Sequence, residues 1–263
     1  MAWLLYFLIC LVATTLGAIS GIGGGVIIKP VMDAVANMQV STISFLSGCT
    51  VLGMSVVSVL RGRSGDAKLD PKKGTWMALG GATGGIAGKW IFDWIRSSFG
   101  NDSLVGVIQS GIMILLTLGV LVYVLNKEKI RTLRVENGLA CLAIGIGLGV
   151  LSSFLGIGGG PINLVILYFF FSMNTKTAAL HSLYIILFSQ TASFLTTLVG
   201  GKVLEFDPAI LLVMVIGGVT GGFVGRWFSK KMTGNQVDIL FRWMLILIAA
   251  ISCYNLCRYA GWL

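Results

Sequence analysis

The sequence predicts an all-α, polytopic membrane protein built as two inverted repeats, each a broken helical hairpin followed by three transmembrane helices. Three observations predict it. Of the 263 residues, 56% are hydrophobic and only 11% charged, against roughly 25% charged in a soluble domain. Uncharged runs recur at 2–20, 104–126 and 138–155, each near the ~20 residues that cross a ~30 Å hydrocarbon layer. The chain also repeats itself: "SGIGGGVIIKP" at 20–30 returns as "LGIGGGPINLV" at 155–165. A porin-like barrel would need alternating polarity in segments of about ten residues, and that pattern is absent.

The repeat runs through the whole chain. Gly21–Gly25 falls on Gly156–Gly160, Met38 on Met173, Thr42 on Thr177 and Ser47 on Ser182, all 135 residues on. At an offset of 137, Asp70-Pro71 falls on Asp207-Pro208, and "LGGATGGIAGKW" (79–90) on "IGGVTGGFVGRW" (216–227). The expected units are a first repeat at 1–126, a basic linker at 127–136 and a second repeat at 137–263.

Each half begins with an apolar helix that stops at its glycines. Residues 1–19 lack the basic start of a signal peptide, so they are expected to remain as a membrane element. Glycine is about 1 kcal/mol worse than alanine within a helix, so Gly-Ile-Gly-Gly-Gly breaks it. A half-helix over 26–36 then spans about 16 Å, half a bilayer, with Pro30 setting its start a few residues later. In the second copy Pro161 stands where proline favours a first helical position. Three spans follow in each half, at 40–60, 73–95 and 104–125, then at 175–198, 209–228 and 237–259.

Cations set the orientation. Segment 61–73 holds Arg61, Arg63, Lys68, Lys72 and Lys73, whereas its counterpart at 200–207 holds only Lys202. The connection after 73–95 carries little beyond Lys89 and Arg96, whereas its counterpart holds Arg226, Lys230 and Lys231. If each broken element is a hairpin returning to its own side, each half crosses an odd number of times and the halves are inverted. Segments 61–73, 127–134 and 226–231 then share one face, the cytoplasmic face of a plasma (inner) membrane. The net charge of +9 thus reads as topology, with lipid and not nucleic acid as the partner. The five cysteines, Cys10, Cys49, Cys141, Cys253 and Cys257, show neither metal-ligand nor disulfide spacing, and no metal or cofactor is expected.

Unwound backbone at membrane depth survives only where protein buries it or where it lines a watery cavity. A helix N-terminus offers free N–H groups and roughly half a positive charge, and glycine lets a ligand approach them. Two such termini, at Gly21, Gly23, Gly24 and Gly25 and at Gly156, Gly158, Gly159 and Gly160, point to a site for a small anion. Lys29, Ser47, Asn163, His181, Ser182 and Gln190 are the expected polar companions. Each also has a plainer reading: Lys29 neutralised by Asp33 one turn on, His181 as a packed or capping residue, and the small residues of span 40–60 as a helix-contact stripe. Gly80, Gly84 and Gly88, with Gly217, Gly221 and Gly225, read as helix-contact faces within the chain or at a homodimer seam. "TGGIAGKW" is no P-loop, since Thr83 and Trp90 stand where glycine and a magnesium-binding hydroxyl belong.

The doubled "GIGGG", with "SSFLGIGGGPIN" (152–163), "MNTKTAALHSL" (173–183) and the "GGxxGGxxG" third span of each half, resembles the TauE/SafE family of sulfite and organosulfonate exporters. The resemblance covers essentially the whole chain. It implies a multi-pass carrier of small sulfur-containing anions, such as sulfite or sulfoacetate, driven by an ion gradient. Protons and sodium both stay open as the coupling ion, with His181 or Asp33 as titrating groups. Alternating access about the glycine site is the expected mechanism, and a passive small-anion channel is the alternative. No nucleophile–base pair, acid pair or metal set for an intramembrane enzyme is legible.

Overall fold

The computed structural model describes residues 2–62, 69–99, 102–200 and 206–262. Ten α-helices account for almost all of them: α1 (Ala2–Ser20), α2 (Gly25–Val35), α3 (Val40–Gly62), α4 (Pro71–Phe99), α5 (Asp102–Asn126), α6 (Gly138–Phe154), α7 (Pro161–Phe171), α8 (Thr175–Val199), α9 (Pro208–Lys231) and α10 (Gly234–Tyr259). Six of them, α1, α3, α5, α8, α9 and α10, are long and apolar enough to cross a membrane. Helix α4 lies outside that set, since glycines and charges dilute its apolar content. Its 29 residues still reach about 43 Å at 1.5 Å each. Bulky apolar side chains such as Trp90, Trp94, Leu115 and Trp243 are more than 65% exposed on the outer surface. Patches of that kind suit lipid and not water. The chain is a multi-pass membrane protein.

The helix starts follow from local chemistry. Asn174 and Asp207 accept from the N–H groups of Thr177 and Ala209 (2.9 Å each), and Thr233 with Gln236 forms a capping box at α10. Asp70 likewise accepts from Lys72 and Lys73 at the head of α4. Asp70-Pro71 and Asp207-Pro208 are thus the same device twice, an N-cap aspartate before a proline that has no N–H to satisfy.

Both glycine runs interrupt their helices. Gly21 and Gly23 adopt φ of +83° and +81°, and their equivalents Gly156 and Gly158 both adopt +64°, a region open at low cost only to glycine. Pro30 does not delay α2, contrary to the expectation. The helix begins at Gly25 and carries Pro30 inside it, and the Pro30 carbonyl receives the Asn255 side-chain amide (2.8 Å). Helix α7 begins at Pro161, as its sequence requires.

Each hairpin is tied down at its open end. Leu133 and Val135 N–H donate to the Phe169 and Phe170 carbonyls (2.6 and 2.9 Å), so α7 ends beside the segment leading into α6. At α2, Arg258 caps the Asp33 and Ala34 carbonyls (2.8 Å each) from the end of α10. A cation at a helix C-terminus also complements its dipole.

The two halves interlace. Helix α4 packs against α6 and α8, α9 packs against α1 and α3, and α5 packs on α10. Glycines permit this. A β-carbon at Gly80, Gly84 or Gly88 would strike the carbonyls of Leu142, Ile146 or Val150 on α6, while Gly81 and Gly85 face Ile185 and Ser189 on α8. In the other half Gly217, Gly221 and Gly225 meet Phe7, Leu11 and Thr15 on α1, and Gly218 and Gly222 meet Thr50 and Met54 on α3. The GxxxGxxxG faces are therefore used inside the chain. Of the first basic segment, residues 63–68 lie outside the described residues, as does Lys202.

Candidate functional site

The two glycine breaks meet. The Gly158 carbonyl oxygen stands 3.3 Å from the β-carbon position of Gly23, Ile22 O stands 3.2 Å from that of Gly159, and Gly25 is packed on the Ile157 carbonyl. All ten residues of the two runs, 21–25 and 156–160, are buried. Each break is also cradled by a helix of the opposite half. A β-carbon on Gly156 or Gly158 would stand 2.5 Å from the Ser44 or Val51 side chain of α3, and one on Gly21 or Gly23 would meet Ala179 or Ile186 of α8. Ser44 and Ala179 are repeat equivalents, as are Val51 and Ile186. The contacts exchange symmetrically between the halves.

Ser47 and Ser182 fall inside these cradles. On α3, positions 44, 47 and 51 share one helical face, and on α8 positions 179, 182 and 186 do so. Both serines are fully buried, and neither hydroxyl has a hydrogen-bond partner among the described residues. The Nδ2 of Asn163, near the head of α7, is in the same condition, as is the Ser153 hydroxyl just before the second break. Buried polar atoms are almost always partnered, so four orphans around the paired breaks mark a place made for polar company.

The remaining expected residues are placed less simply. Lys29 is 4% exposed and points along α2 to Asp33 (2.6 Å), which neutralises it in this conformation. His181 is buried with both ring nitrogens occupied: Nδ1 lies 2.9 Å from the Thr177 carbonyl, and Nε2 accepts from the Asp70 N–H at 3.1 Å. That arrangement fixes a neutral tautomer and pins the start of α4 to α8. Gln190 donates to the Ser152 hydroxyl (3.2 Å) and lines a cavity.

That cavity, partly open and with about 30 Å³ of space that a water molecule can occupy, lies between α3, α4, α8 and the second break. It reaches Gly156, Ser153 and Gln190 at its inner end, with Ser44, Cys49, Lys89 and Thr197 among its walls. Of the fourteen residues expected at the site, only Gly156 and Gln190 line it. The other glycines, Gly160 apart, pack against the opposite break and against α1, α3 and α8.

Lys89 is the residue that sequence reasoning missed. It is held at 2.9 Å from Asp93 and 4.9 Å from the centre of the Phe92 ring. The signal was in the repeat, which sets Lys89 on Arg226, a cation on a cation, within an otherwise apolar motif. Among the described residues no three of His, Cys, Asp and Glu gather as a metal site.

An interlaced, all-helical membrane protein whose two broken helices pack on each other has the build of a polytopic membrane transporter. The chain belongs to the sulfite exporter TauE/SafE family, whose pattern matches residues 6–252. It is also 25% identical over 282 aligned residues to a Bacillus subtilis (strain 168) protein named "Probable membrane transporter protein YunE", with 97% of this chain and 98% of that one covered. No solved structure matches it.

Proposed function

We propose that this chain is a secondary transporter of small sulfur-containing oxyanions, sulfite or organosulfonates such as sulfoacetate, in the plasma (inner) membrane. The substrate is held where the two glycine breaks meet, by N–H groups of α2 and α7 together with Ser47, Ser182 and Asn163. The halves are inverted repeats that rock about this point, so that it opens to one face at a time. Segments 61–73, 127–134 and 226–231 face the cytoplasm, and a proton or sodium gradient supplies the drive. The chain works without a cofactor and as a carrier, not as an enzyme.

The observation that carries this reading is the contact between the two breaks, ringed by buried polar groups without partners. Inverted halves with discontinuous helices meeting at mid-depth are how many secondary transporters hold a solute. The family membership supports the sulfur-anion class.

Thermal unfolding of detergent-purified protein tests it, with sulfite, thiosulfate, sulfoacetate, taurine, sulfate, lactate and chloride in turn. A ligand at a hundred times its Kd stabilises the native state by about 2.7 kcal/mol. Stabilisation by a sulfur oxyanion at lower concentration than by chloride is expected. Stabilisation by a cation or neutral solute alone would overturn the substrate class.

A further inference from the structure

The Lys89 cavity has a counterpart at the opposite end of α3 and α8, and that counterpart is shut. In repeat terms, Phe45 corresponds to Leu180, Thr197 to Gly62, Ser193 to Ser58 and Lys89 to Arg226. The first member of three pairs, Phe45, Thr197 and Ser193, lines the open cavity beside Lys89. At the other end the Leu180 side chain is seated directly on Gly62, and the Arg226 guanidinium lies 3.0 Å from the Gly62 β-carbon position.

Polar groups are nevertheless buried there. Arg226 is 6% exposed and Ser58 is wholly buried. Neither Arg226 Nε nor the Ser58 hydroxyl has a partner among the described residues. Asp93, which holds Lys89, corresponds to Lys230, so α9 offers Arg226 no acid one turn on. A buried guanidinium N–H without an acceptor is unfavourable unless another state supplies it with a partner.

We propose that Lys89 and Arg226 are the anion-binding cations of two mouths, one at each end of a single path. This conformation holds the Lys89 mouth open and the Arg226 mouth closed by Leu180. The proposal rests on the anion-carrier reading and adds two residues and a direction to it. With segment 226–231 cytoplasmic, the open mouth faces away from the cytoplasm. An entering anion draws Lys89 from Asp93. Opening of the far mouth lifts Leu180 from Gly62 and delivers the anion to Arg226.

Cys49 lines the open cavity and serves as its probe. In a variant keeping only that cysteine, reconstituted in liposomes, modification rates are measured with an anionic (2-sulfonatoethyl) and a cationic (2-trimethylammonioethyl) methanethiosulfonate. The expected result is faster reaction with the anion. Lys89→Gln lowers the anion-to-cation ratio roughly tenfold, Lys89→Arg retains it, and Asp93→Asn raises it, since local charge concentrates counter-ions by such factors. Arg226→Gln leaves the ratio unchanged while slowing sulfite flux. A ratio indifferent to Lys89→Gln and Asp93→Asn, or a Cys49 that neither reagent reaches from either face, overturns the assignment. Sulfite flux in the unsubstituted protein separates the two ideas. Its absence with the charge preference intact overturns sulfite as substrate and leaves the cations assigned. Its presence with an indifferent ratio does the reverse.

Discussion

The Asp70 N–H and the His181 ring are joined at 3.1 Å although 111 residues separate them. The bond lets one side chain of the second half cap a helix of the first. His181→Ala removes an acceptor from Asp70 and a donor from Thr177 at a buried position. Stability is expected to fall by about 1–3 kcal/mol, the usual penalty for orphaned buried groups. The measurement is thermal unfolding, with His181→Gln as the milder companion.

Lys29 and Asp33 form a pair buried to 4% exposure on each side. Lys29→Met leaves a buried carboxylate alone and is expected to destabilise by about 3–5 kcal/mol, while the double change with Asp33→Leu recovers most of that loss. Sulfite-induced stabilisation in the double variant then isolates the binding role. Undiminished stabilisation removes Lys29 from the site.

Gly160 is the one glycine of the second run with room beside it. Its backbone is extended at φ −160°, and the nearest atom to a β-carbon there is Ile157 Cδ1, at 3.4 Å. Gly160→Ala should therefore fold with stability within about 1 kcal/mol of the parent. Its methyl group would nonetheless stand at the head of α7, where the ligand is placed. Loss of sulfite-induced stabilisation in a normally folded variant is expected, and normal binding would move the ligand elsewhere.

Gly84 and Gly111 make a matched contrast. A β-carbon on Gly84 collides with the Ile146 carbonyl, whereas one on Gly111 meets nothing within 4 Å. Gly84→Ala is expected to lose about 1–3 kcal/mol by overpacking. Gly111→Ala should gain up to about 1 kcal/mol through helix propensity. Thermal unfolding of the pair checks both signs.

Much of this architecture was legible in the sequence because its signals are local. The expected span 209–228 sits within α9, Pro208–Lys231. Hydropathy marks only the lipid-immersed part, and the Asp-Pro cap marks the true start. The breaks were legible for the same reason, since two positive-φ positions in the first run and three in the second admit little but glycine. Pro30 does not set the start of α2, which begins at Gly25 and carries the proline inside.

What the sequence hid is tertiary. Lys89 looked like one more connecting charge, and nothing in its neighbours reveals a cavity formed by three other elements. The pairing of Lys29 with Asp33 and the capping role of His181 were visible only as options, and the Asp70 partner of His181 lies 111 residues away, beyond any local pattern. The closed state of the Arg226 end is hidden for a deeper reason. Phe45 and Leu180 are both ordinary apolar residues, and their equivalence in the repeat does not say which of the two is packed down.

The crossed arrangement of α4 on α6 and of α9 on α1 bears on the order in which the protein can be made. When the ribosome has released the first half, the glycine face of α4 is still without the helix it will clasp. Helix α1 must wait for α9 before its own groove is filled. Synthesis and final assembly are thus forced apart in time, and a chain halted at residue 126 leaves behind helices whose partners were never made.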